Sequence, residues 1–195
     1  MKEFVFPTVD DLNDGCGVLV GNLFVTAAHV VKENDFYLFK DGKNICLRKE
    51  DAFLFKYIQA EDGADVAVFR LDGCNSPIEF DTSSPQKDML LESISYEHVV
   101  EKSSNLGNVL LNGTKDYYKL VKCQATIDEL AGNFYQCKTS VILKPGSSGS
   151  PVFRNGKVFG ILHGGQVGKN ICVFQSSCSI LSLIHEVEEK GLKTA

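Results

Sequence analysis

Nine short runs of β-branched or alternating apolar residues, at 16–20, 23–26, 36–39, 44–48, 66–71, 117–125, 152–154, 158–162 and 171–175, set the strongest limit on how this chain can fold. Runs of this length, broken by turn residues, read as strands, and many of them in series give a barrel or a sandwich. The turns agree. Gly21-Asn22 and Asp41-Gly42 suit hairpin loops, and Asn155-Gly156 between two apolar runs is the strongest two-residue hairpin signal in the chain. Only the C-terminal stretch has a helical period. There Ile180, Leu183, Ile184 and Val187 share one face, Ser179 or Ser182 is placed to cap the start and Gly191 the end. His185 lies within that helix and reads as a surface residue.

A chain of 195 residues, 44% of them hydrophobic, can bury a sizeable core without metals or disulfides. The net charge of −5 and the scattered Lys and Arg residues offer no basic face for phosphates, so nucleic acid is not an expected partner. The apolar runs fall far short of the roughly 20 residues that span a bilayer, and no membrane partner is expected. Met1, Lys2 and Glu3 begin no secretory leader, which makes a cytoplasmic location the expectation. The seven cysteines, at 16, 46, 74, 123, 137, 172 and 178, follow no paired spacing and read as free thiols. None of His29, His98, His163 and His185 has a cysteine within four residues, so no metal site is read from spacing. The polar, proline-interrupted stretch 75–86 reads as the connection between two halves, dividing the chain into 1–80, 81–178 and a helical 179–195.

Acyl transfer by a serine needs a base within hydrogen-bond reach, an acid that orients the base, and backbone N–H donors where the oxyanion develops. Three separated segments carry such parts. In 144–151, glycines on both sides of Ser148 allow a tight turn that exposes the hydroxyl while turning amides inward. A Gly/Ser loop between strands is common, but the hairpin that follows at 152–160 sets this one within a barrel. In 17–31, small Ala27 and Ala28 leave room for His29 at the end of a strand. In 63–71, Asp65 stands just before an apolar strand, where a buried carboxylate needs a donor, and His29 is the available one. So paired, Asp65 would favour the tautomer whose other nitrogen faces Ser148. Asp62 is the alternative acid.

The segments TAAHVV, DVAVFRL and PGSSGSPVF resemble the three catalytic blocks of trypsin-like peptidases, in the His, Asp, Ser order of that family, and look closest to its HtrA-type and bacterial glutamyl-endopeptidase branches. The resemblance implies an all-β fold of two six-stranded antiparallel β-barrels of chymotrypsin type, a cleft between them and a C-terminal helix. It implies a serine endopeptidase acting through an acyl-enzyme. Ser148 is then the nucleophile, His29 the general base and acid, and Asp65 the orienting acid, with the Gly146 and Ser148 amides forming the oxyanion hole. No cofactor is called for. The partner is a peptide or protein substrate, with room for an activating partner.

Departures from the family are informative. Cys16 matches a cysteine that is bridged beside the catalytic His in secreted trypsins, but Val30 holds its partner's position. Ser147 replaces the Asp that receives a newly cut N-terminus, so activation by N-terminal insertion is not expected. For specificity the family geometry points to Leu143 and to the strand carrying Leu162, His163, Gly164 and Gly165. In relatives selective for Glu or Gln, a histidine two positions after the strand glycine reaches the pocket. His163 follows Gly160 by three, which turns Leu162 to the pocket instead unless a bulge restores the phase. Cleavage after small or medium apolar residues is therefore expected over cleavage after Glu or Gln, with Gly164 and Gly165 pairing with substrate backbone. The alternative is a latent or non-catalytic peptide-binding homologue that keeps the barrel and the cleft.

Overall fold

At the Asn155-Gly156 turn both residues take positive φ, 50° and 79°, the hairpin geometry this dipeptide favours. The computed structural model describes residues 1–7, 15–33, 35–40, 43–60, 62–102, 114–166 and 168–192. The Asp41-Gly42 turn lies outside them. In the N-terminal half the strands are β1 (Val5–Pro7), β2 (Cys16–Val20), β3 (Leu23–Thr26), β4 (Phe36–Lys40), β5 (Lys43–Leu47), β6 (Leu54–Ile58) and β7 (Ala64–Arg70). The C-terminal half contains β8 (Leu90–Lys102), β9 (Thr114–Ala131), β10 (Phe134–Thr139), β11 (Pro151–Arg154), β12 (Lys157–Gly165) and β13 (Ile171–Ser176), followed by α1 (Ser177–Leu192).

The C-terminal half is a closed barrel in the order β10-β13-β12-β11-β8-β9. The N-terminal half differs from the expected six-stranded ring: among the described residues it is an open sheet, β1-β2-β3-β7-β6, with β4-β5 a separate two-stranded ribbon. Packing covers what hydrogen bonding leaves open. Phe36, Leu38 and Leu47 of the ribbon join Leu19, Phe24, Ala67 and Phe69 in one buried cluster.

Strand alternation explains how the halves join. Along β2, β3 and β7 the residues Leu19, Phe24, Ala67 and Phe69 face that cluster, while Val18, Val20, Val25, Val66 and Val68 face a second one. The second cluster is the seam between the halves. It receives Ile94, Phe153, Val158 and Ile161 from the barrel wall and Ile180 and Ile184 from α1, with Leu183 and Val187 packed beside them. A third cluster fills the barrel and includes Leu91, Ile127, Leu143, Val152, Phe159, Leu162 and Phe174.

The helix begins two residues earlier than the sequence suggested. Ser176 Oγ accepts the Ser179 N–H at 3.3 Å, so the cap is Ser176, and the helix runs through Gly191 to Leu192. His185 is exposed. The connecting stretch is tied to both halves: Gly21 N–H donates to the Ile78 carbonyl at 3.2 Å, and Val158 N–H to the Glu79 carbonyl at 2.8 Å. No helix among the described residues is long and apolar enough to cross a membrane.

Candidate active site

His29 sits in a single 3₁₀ turn, Ala28–Val31, directly after β3. Ala27 and Ala28 are fully buried against the N-terminal core, so the turn is pressed on the sheet while the His29 ring remains partly exposed. Asp65 enters from the adjacent strand β7, whose Ala67 pairs with Thr26. The carboxylate grips the histidine twice. Oδ1 accepts the His29 backbone N–H at 2.9 Å, and Oδ2 meets His29 Nδ1 at 2.6 Å. Asp62, the alternative acid, is exposed and uses its backbone carbonyl to hold Asn133 at 3.0 Å.

The barrel completes the surroundings of Asp65. Gln175 Oε1 accepts the Asp65 N–H at 3.0 Å, and Gln175 Nε2 donates to Ser179 Oγ at 2.9 Å. His163 Nδ1 also bonds to Asp65 Oδ2, so one carboxylate oxygen faces two imidazoles. Burial alone would raise the pKa of a side chain that is 1% exposed. The hydrogen bonds from His163 and His29, with the charge on His29, outweigh it and hold Asp65 well below the usual carboxylate range.

The Gly/Ser loop at 144–151 is fitted against the N-terminal sheet. Cys16 N–H donates to the Ser148 carbonyl at 2.6 Å, and Cys16 Sγ to the Gly146 carbonyl at 3.3 Å. Gly149 has φ 80°, and a Cβ there would lie 2.0 Å from the Cys16 carbonyl oxygen, so no other residue fits without moving β2. On the barrel side Gly149 N–H donates to the Leu162 carbonyl and Leu162 N–H to the Ser150 carbonyl, both at 2.8 Å. Ser147 is turned inward onto the Lys144 carbonyl through its hydroxyl, at 2.7 Å. Beside the loop, the exposed Lys144 pairs with buried Glu97 at 3.1 Å, a contact that nothing in the sequence around either residue signalled. The Ser148 hydroxyl donates to the His163 carbonyl at 3.2 Å, and among the described residues it makes no bond to His29.

The expected strand phase is reversed. The β12–β13 register shifts between Leu162 and Gly164, and this bulge sends Leu162 into the barrel core, 1% exposed, and His163 into the cleft. Leu143 is also packed in the barrel core, at 6% exposure, so neither leucine presents much side-chain surface to a substrate. Gly164 and Gly165 do line the cleft, in a cavity of about 560 Å³ shared with His29, His163, Tyr57 and Gln136. The contact of His163 with Asp65 escaped the sequence because it spans 98 positions and depends on a bulge that strand patterning does not show. His29, Asp65 and His163 offer ligand atoms within 4.8 Å of one another, a cluster that could hold a metal ion.

Residues 15–161 match the family model of the trypsin-like peptidase domain. The chain belongs to the trypsin-like peptidase family. Solved structures share the chymotrypsin-like fold. Neuropsin, a serine protease expressed in mouse brain, is 15% identical with a TM-score of 0.67, over 96% of this chain and 95% of its own. An inactivated protease paralogue of the scabies mite is 13% identical with a TM-score of 0.67, over 96% and 93%. The serine protease of a human pathogenic astrovirus is 18% identical with a TM-score of 0.58, over 90% of each chain. No curated protein sequence matches the chain. In this peptidase domain the cleft is lined by residues of both β halves, His29 and Tyr57 from one and His163, Gly164 and Gly165 from the other.

Proposed function

We propose that this peptidase hydrolyses peptide bonds through an acyl-enzyme on Ser148. The observation that carries the reading is the double grip of Asp65 on His29, at 2.9 and 2.6 Å, by a carboxylate held ionised inside the protein. The Nδ1–H is thereby committed to Asp65, and Nε2 is left as the base. In the reaction the Ser148 hydroxyl rotates from the His163 carbonyl toward His29, gives up its proton to Nε2 and attacks the scissile carbonyl. His29 then returns the proton to the leaving amine. Asp65 stabilises the imidazolium that forms between these steps.

The Gly146 and Ser148 amides stabilise the oxyanion. Both lie in a turn whose neighbouring amides, Ser147, Gly149 and Ser150, are already occupied by protein carbonyls. Substrate backbone pairs at Gly164 and Gly165, where a Cβ at Gly164 would meet nothing within 4 Å. The His163 ring is engaged by Asp65 rather than reaching for a substrate acid, which favours cleavage after small or medium apolar residues. The buried Cys123 thiol, which burial pushes up to about 11, suits a reducing, cytoplasmic setting.

A latent form is the second reading, favoured by the Ser148 hydroxyl's bond to the His163 carbonyl. Labelling by a fluorophosphonate separates the two. Ready labelling of the isolated protein, lost in Ser148→Ala together with turnover by a factor on the order of a million, is expected of a formed site. Labelling that needs an added partner shows latency, and turnover that survives in Ser148→Ala overturns the mechanism.

A further inference from the structure

The pairing of two imidazoles with one carboxylate oxygen is more than an acid needs to orient a base. We propose that His29 Nδ1, Asp65 Oδ2 and His163 Nδ1 form a reversible, inhibitory binding site for Zn²⁺. All three atoms lie within 4.8 Å of one another, and His29 Nδ1 and Asp65 Oδ2 are 2.6 Å apart. Tetrahedral zinc with bonds of about 2.0–2.1 Å separates its ligand atoms by roughly 3.3 Å, so ring movements of up to about 1.5 Å admit the ion.

The ring directions suit it. His29 and His163 stand nearly perpendicular, at 80° with centroids 5.4 Å apart, so they approach Asp65 from two sides instead of stacking. The carboxylate is held in place from behind by the His29 N–H on Oδ1 and by Gln175 on the Asp65 amide, the kind of support that orients a ligand toward a metal. Asp65 and His163 also line a cavity of about 330 Å³ with Tyr57 and Phe134, which gives a water molecule access to the fourth position. Two imidazoles, one carboxylate and one open position form a donor set that zinc accepts.

Inhibition follows from the tautomer. With zinc on the Nδ1 lone pair of His29, the single proton of the neutral ring sits on Nε2. The atom that should take the Ser148 proton then already carries one, and removing the ion restores it. This inhibitory consequence rests on the triad proposed above, whereas the binding does not.

The test uses full-length Ser148→Ala protein, titrated with ZnCl₂ by calorimetry and with CoCl₂ by visible absorption. One ion per chain in the low micromolar range is expected, with the d–d bands of a low-coordinate Co²⁺ and no sulfur-to-cobalt charge-transfer band, so that the thiols are not the ligands. His163→Ala and His163→Gln, the latter keeping an N–H donor for Asp65, should each weaken binding at least about tenfold. A charge-transfer band, binding unchanged in both His163 variants, or no binding up to millimolar metal overturns the site. In the unmutated protein, Zn²⁺ should block fluorophosphonate labelling and a chelator should restore it. Labelling indifferent to bound Zn²⁺ overturns the inhibition, while a protein that is never labelled but still binds Zn²⁺ through His163 overturns the catalytic reading and leaves the site standing.

Discussion

The C-terminal half closes six strands into a ring, whereas the N-terminal half, among the described residues, leaves five strands open and lays the β4-β5 ribbon over them. Each strand of the ring has a hydrogen-bonded neighbour on both sides. Among the described residues the ribbon has none beyond its own partner, and it is held by side chains such as Phe36 and Leu38. The division matches the chemistry each half carries. The ring carries Ser148, His163 and the cleft strand at Gly164 and Gly165, whose placement depends on the surrounding sheet. The open half carries His29 and Asp65 on one 3₁₀ turn and the adjacent strand β7, and Gln175 and His163 of the ring help to hold the Asp65 carboxylate and amide.

The largest expected effect lies in the ring. Phe174 is fully buried against Tyr135 and Phe159, with centroids 5.4 and 5.9 Å away, and Phe174→Ala should cost about 3–5 kcal/mol in urea unfolding. Leu38→Ala in the ribbon should cost nearer 2 kcal/mol, because a two-stranded element can settle into the gap. Equal losses at the two sites would break the contrast. Amide exchange sharpens it further: the amides of β4 and β5 should exchange about a hundredfold faster than those of β12 and β13, through opening of the ribbon alone. Uniform protection in both halves would mean that packing holds the ribbon as firmly as the ladder holds the ring.

A third test lies at the junction. Asp65 titrates below its ordinary range when folded, so it adds stability that is complete above about pH 5 and is lost as pH falls below about 4 toward the folded pKa. In Asp65→Asn the stability between about pH 5 and pH 2 should decline less steeply. An unchanged slope would show that another acid governs that limb.

Where inward positions are apolar, the strands were legible from the residues: the 16–20 and 23–26 runs are strands with those bounds, and the 171–175 run is part of β13. β8 was not, because its buried positions include Ser93, Ser95 and Glu97, which break the apolar alternation. β10 was missed too, with only Cys137 and Thr139 buried among its six residues. The openness of the N-terminal sheet was hidden for another reason. Counting strands does not say which of them pair. The pairing of His29 with Asp65 could be read from the residues, but the direction of His163 could not, since it is set by a one-residue slip between β12 and β13.

The bond from the Asp65 amide to Gln175 spans 110 positions. A ribosome releases the His29 and Asp65 segments long before Gln175, and His163 also follows late. During synthesis the emerging N-terminal half therefore holds its acid without the partners that fix it, and Ser148 does not yet face it. The surroundings of Asp65 are thus completed only when both halves have folded against each other.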